Sequence, residues 1–157
     1  SSWAIDSDLI NETLVKSKND TTYSRKRYVD AGEHIGRERI GGIILNADLD
    51  LTHPLAFGYH DKSIPVYKNN NVFINKTKDD YSSVAIYSED FHIDGYISEL
   101  NRKEFIPGAA SLIVSNIGSG RVIVFADNPN FRGTWYGTNK LFLNAIFLGD
   151  NISVPSK

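Results

Sequence analysis

Two apolar runs, residues 110–115 (Ala-Ser-Leu-Ile-Val-Ser) and 121–126 (Arg-Val-Ile-Val-Phe-Ala), are joined through Gly118-Ser119-Gly120. A parallel pair of strands needs a crossover of about a dozen residues or more, so this short glycine-rich link leaves only an antiparallel pair. The chain continues through the polar loop 127–133 (Asp-Asn-Pro-Asn-Phe-Arg-Gly) into the apolar stretch 134–148, which Gly149 can terminate. Strand, loop and helix follow one another, and open α/β sheets place ligands at a loop leaving the carboxyl end of a buried strand. In the helix, Trp135, Leu141, Phe142, Ala145, Ile146 and Leu148 cover most of the circumference. Lys140 and Asn144, four apart, remain as a wet stripe, so the helix is expected to be buried on more than one side.

Upstream the signals are weaker. Trp3, Ile5, Leu9, Ile10 and Leu14 approach helical spacing over residues 3–15, with Ser7 or Asp8 as an N-cap. Residues 16–27 are polar and read as a surface loop, and residues 28–40 show no period. Residues 41–47 read as a short strand. Residues 64–67, 72–74, 83–87 and 96–97 are β-rich segments, separated by Asn, Lys and Asp clusters in the manner of hairpins or of strand-and-loop excursions. Residues 100–105 suggest one helical turn stopped by Pro107-Gly108, and residues 150–157 a tail. No repeat or linker divides the 157 residues, which suit a single domain, 1–157.

Seventeen basic residues against 19 acidic, with no basic block, offer no footprint for nucleic acid. No apolar run approaches the roughly 20 residues that a bilayer demands. Cysteine is absent, which removes disulfides, thiolate metal sites and a cysteine nucleophile. Methionine is absent even at position 1, so the expectation is a mature product or an excised piece. Sequons at Asn11, Asn19, Asn75 and Asn151 matter only in a eukaryotic secretory setting.

The chemistry-bearing residues are few. Of His34, His53, His60 and His92, none has a glutamate three residues on, and no zinc site is expected in this chain. Gly118-Ser119-Gly120 resembles a nucleophile elbow but lies between two strands, where it serves as a turn. No glycine-rich phosphate loop occurs. The remaining candidate is the loop 127–133. There Asp127 and Arg132 could clamp a polar ligand, with Trp135 or Tyr136 stacking on it. The competing structural reading has Asp127 and Asn128 capping backbone groups and Arg132 pairing with an internal carboxylate, and it is the one preferred.

Residues 52–59 (Thr-His-Pro-Leu-Ala-Phe-Gly-Tyr), 118–133 and 135–147 resemble the C-terminal region of large bacterial zinc carboxypeptidase-like proteins of the M14 class. The likeness is most specific from 118 to 149 and weak before residue 40. It implies a domain similar to class I glutamine amidotransferases: an α/β, three-layer sandwich of flavodoxin-like type, here without its first strands. Those enzymes use a Cys-His-Glu triad with a His-Pro-Glu segment after a late strand. Here that segment reads Asn128-Pro129-Asn130, and neither amide can act as a base near neutral pH. The M14 His-x-x-Glu zinc pair is likewise missing, so zinc would belong to an N-terminal peptidase domain of the parent protein.

The resulting expectation is a non-catalytic accessory domain of a bacterial, periplasmic or secreted zinc carboxypeptidase-like protein. Its partner would be its own peptidase domain, with no nucleic acid and no membrane, and homo-oligomerisation is left open. The alternative is a peptide- or sugar-binding module built from Asp127, Asn128, Arg132, Trp135, Asn139 and His53. A degenerate hydrolase is the third reading.

Overall fold

The computed structural model describes residues 2–17, 25, 27–79 and 81–152. Most of the expected surface loop at 16–27, the Asn19 sequon and the tail beyond residue 152 lie outside them.

Six strands form one curled antiparallel sheet: β1 (Ile43–Leu49), β2 (Ser63–Lys68), β3 (Ile74–Asn75), β4 (Ser83–Asp94), β5 (Ala109–Ile117) and β6 (Gly120–Phe125). The order is β2-β1-β4-β5-β3, and β6 joins β3 along the outer edge of β5. The β5–β6 hairpin forms as expected, in register from Leu112↔Phe125 to Ile117↔Gly120. Between the pairs Leu45↔His92 and Ala47↔Tyr87, β4 takes five steps (92 − 87) against two on β1 (47 − 45). Such extra residues bend and twist a strand. Ser88 fills part of this bulge, its hydroxyl donating to the Asn46 carbonyl at 3.0 Å.

The main core lies on one face of the sheet. Ile43, Leu45, Ala47 and Leu49 alternate inward along β1, as period-2 patterning dictates. They meet Leu55, Ile106, Leu112, Val114 and, from the C-terminal helix α3 (Tyr136–Leu148), Leu141. A smaller core on β5 and β6 is covered by Ala4 and Ile10 of the N-terminal segment. Residues 109–115 of β5 are accordingly buried throughout.

Several expectations need correction. The flavodoxin-like sandwich implied by the family resemblance has parallel strands linked by crossover helices. Among the described residues every strand pairing is antiparallel, the connections between successive strands being turns and short helical segments, and α3 follows the last strand. What holds is a mixed α/β chain with an antiparallel pair near its end and a C-terminal helix. The first helix, α1 (Ser2–Asp6), is shorter than expected. Asp8 adopts φ 52° and Leu9 N–H closes onto Ala4 O at 3.0 Å, so these residues end a helix and do not begin one. The chain then runs extended, and Leu14 bridges to Ile74. Residues 28–40, without a legible period, form a 3-10 turn (Tyr28–Asp30) and the helix α2 (Ala31–Glu38), neither with a buried residue. Residues 96–97 are not a strand, and residues 101–105 make one π-helical turn.

Candidate functional site

Asp127 follows the end of β6 by two residues, and three strands deliver side chains to it. Tyr87 of β4 donates its hydroxyl to Asp127 Oδ1 at 2.7 Å, and Ser111 of β5 donates to Oδ2 at 2.5 Å. Lys68, the last residue of β2, places Nζ 3.4 Å from Oδ1. Lys68 is fully buried and Asp127 is 9% exposed. Nζ also donates to Val72 O (2.6 Å), Ala126 O (3.2 Å) and Asn70 Oδ1 (3.2 Å), and it lies 4.7 Å over the Phe73 ring. Acceptors therefore surround the ammonium, as burial of a charge requires. Burial pulls the Lys68 pKa below the ordinary lysine value, with Asp127 opposing. It pushes the Tyr87 phenol well above its ordinary value, and the Asp127 charge adds to that rise.

The rest of the loop 127–133 is tied to β2. Asn128 N–H donates to Tyr67 O at 3.0 Å, and Asn128 Oδ1 accepts from Asn130 N–H at 3.3 Å. Phe131 stacks on Tyr67 with centroids 3.9 Å apart, and Trp135 tilts against the same ring at 6.0 Å. Trp135 Nε1 donates to Pro65 O at 3.3 Å, and Thr138 Oγ1 closes the loop onto Pro129 O at 2.8 Å. The capping role expected for Asn128 is thus present, whereas Asp127 binds side chains from three strands. Arg132 departs from its expectation. Among the described residues it has no carboxylate partner; it sits exposed at φ 53°, its guanidinium 5.1 Å from the Phe131 ring centre.

His53 and Asn139 are not joined to this loop. His53 Nδ1 accepts Leu55 N–H at 3.1 Å, capping the 3-10 turn Pro54–Ala56, and burial lowers its pKa against the pull of Asp50. That turn is clasped by α3 instead. Tyr59 OH donates to Gly137 O (2.8 Å), Lys140 Nζ to Gly58 O (2.9 Å), and Asn144 Nδ2 to Leu55 O (2.7 Å) and Phe57 O (3.0 Å). Residues 137, 140 and 144 lie along one side of the helix, the side that borders this turn. Of the expected wet stripe Lys140 is exposed but Asn144 is buried, while Leu143, Ile146 and Phe147 face solvent.

Lys68, Tyr87, Ser111 and Asn70 are the residues that sequence reasoning missed. Lys68 carried a signal, because it continues the Ile64, Val66 alternation on the buried face of β2.

Chemically, the cluster holds a carboxylate rather than presenting one, since both its oxygens are occupied by internal donors. The grooves lined by Leu14, Asn75 and Glu104, by Glu12, Thr77 and Asn116, and by Asp48, Ser83 and Tyr87 include neither Arg132 nor Trp135. Among the described residues no group of three or more His, Asp or Glu could hold a metal ion, and no helix is long and apolar enough to cross a membrane. Comparison of the chain with protein-family models, with curated proteins and with solved structures finds no match.

Proposed function

We propose that this chain is a non-catalytic accessory domain that packs against, or assists, a zinc carboxypeptidase-like catalytic domain of the M14 type in a bacterial exported protein. The observation that carries the non-catalytic part is the state of Asp127: its carboxylate is buried and taken up by Tyr87, Ser111 and Lys68. An acid so committed cannot reach a substrate proton, which general catalysis demands.

The M14 part rests on the residue likeness of 52–59, 118–133 and 135–147. The fold lends it support, because two of these runs are bonded to each other: Asn144 and Lys140 hold the carbonyls of Leu55, Phe57 and Gly58. In the same proposal the antiparallel sheet belongs to a flavodoxin-like, amidotransferase-like sandwich. Any zinc would sit in the catalytic domain. The alternative, a peptide- or sugar-binding module, draws on the exposed Arg132 guanidinium.

The coding sequence upstream of residue 1 tests the reading. It should encode a domain with His-x-x-Glu and a later zinc-binding His, and the 157-residue chain alone should hydrolyse neither peptide nor glutamine amide bonds. Absence of that upstream domain, or glutaminase activity in the chain, overturns it.

A further inference from the structure

A buried amine and a buried carboxyl group meet at Asp127, with a hydroxyl on each carboxyl oxygen. Lys68 Nζ lies 3.4 Å from Oδ1, with the Phe73 and Tyr87 ring centres 4.7 and 5.9 Å away. Surroundings of low polarity disfavour separated charges, and burial pulls Lys68 toward its neutral form. Transfer of one ammonium proton to the carboxylate leaves a neutral amine, which is a nucleophile, against a neutral acid. The hydrogen bonds around Nζ tolerate the loss of two of its protons. Ala126 O also accepts from Asn70 Nδ2 at 3.0 Å, and Asn70 Oδ1 also accepts from Val72 N–H at 2.9 Å. Val72 O, the nearest acceptor at 2.6 Å, would keep the one N–H that remains. An amide nitrogen at this place therefore orphans none of the three acceptors, which is the costly outcome for a buried polar group.

We infer that Lys68 and Asp127 condense into an intramolecular isopeptide bond, a cross-link between the end of β2 and the residue two beyond β6. The Nζ lone pair attacks Cγ, and the carbonyl π pair moves to Oδ1, where the Tyr87 hydroxyl stabilises the negative oxygen. Ser111 relays an amine proton to the Oδ2 hydroxyl, the Cγ–Oδ2 bond breaks, and water leaves. Ammonium and carboxylate give one amide and one water, so nothing is oxidised and no co-reactant is consumed. Folding supplies the driving proximity by holding the two groups side by side, and exclusion of water holds back the reverse hydrolysis. An unreacted chain keeps the ion pair, which is the starting state. The bond forms once per chain and turns over no substrate, so the inference stands apart from the accessory-domain reading.

Intact-mass spectrometry of the folded 157-residue chain tests it. The wild type should be lighter than its sequence mass by one water, and tryptic mapping should join a peptide carrying Lys68 to one carrying Asp127. Lys68→Met, which has no amine to condense, should show its full mass. Tyr87→Phe removes the donor to the negative oxygen, so at least several-fold more of that chain should remain at full mass. Circular dichroism establishes that each chain is folded. A folded wild type at full mass overturns the inference, and so does a water loss that persists in Lys68→Met or maps to residues other than 68 and 127. Equal bond formation in Tyr87→Phe overturns the part given to the phenol. None of these outcomes touches the accessory-domain reading, which the upstream coding sequence decides.

Discussion

Replacing Lys68 by methionine keeps most of the side-chain volume and removes the ammonium from the Asp127 cluster. The carboxylate then stays buried with only the Tyr87 and Ser111 hydroxyls, and Val72 O loses a donor at 2.6 Å. Breaking a buried pair from one side costs about 3–5 kcal/mol. For a chain of this length that lowers Tm by about 10 °C or more. Asp127→Asn leaves the ammonium with neutral acceptors only and forfeits charge-assisted bonds, each of about 1.5–3 kcal/mol. The double variant should cost less than the sum, because neither charge is then buried alone. At 3.4 Å the ammonium is farther from the carboxylate than from Val72 O, so the coupling should fall in the lower part of its usual span, about 1–2 kcal/mol. Urea unfolding followed by tryptophan fluorescence reads all four proteins. Strict additivity, with Lys68→Met costing under about 1 kcal/mol, would refute a buried, mutually dependent charge cluster.

Tyr87→Phe should remove a pH dependence. The folded phenol titrates above its ordinary value of 10.0, so the folded state holds more protons there. Stability from this group is present below pH 10.0 and lost as pH rises past it, while Lys68, shifted down, acts in the opposite sense toward 10.5. The stability difference between wild type and Tyr87→Phe should therefore be constant up to about pH 10 and shrink above it; a flat difference to pH 11 would remove the phenol from the cluster. Asn144→Leu should destabilise by roughly 1–3 kcal/mol in thermal unfolding, because the buried Leu55 carbonyl and the partly buried Phe57 carbonyl lose their donor. A neutral result would restore the solvent-facing assignment.

The sequence alone determined what depends on neighbours in the chain. The β5–β6 hairpin follows from the shortness of its link, and strands β1 and β2 fall on segments rich in strand-favouring residues. The C-terminal helix follows from its apolar content and the glycine at its end. Asp8 was misread because an aspartate serves either end of a helix, and only its left-handed φ of 52° says which. Tertiary structure alone decided which side of α3 is inside. Carbonyls of Leu55, Phe57 and Gly58, more than 80 positions away, accept from Lys140 and Asn144, and that demand outweighs the hydrophobicity of Leu143, Ile146 and Phe147. It also decided the fate of Asp127. A carboxylate at the end of a strand can face a ligand or a buried lysine, and the lysine stands 59 positions away on β2. Spacing along a chain records local geometry; burial of a charge depends on partners that only the fold brings within reach.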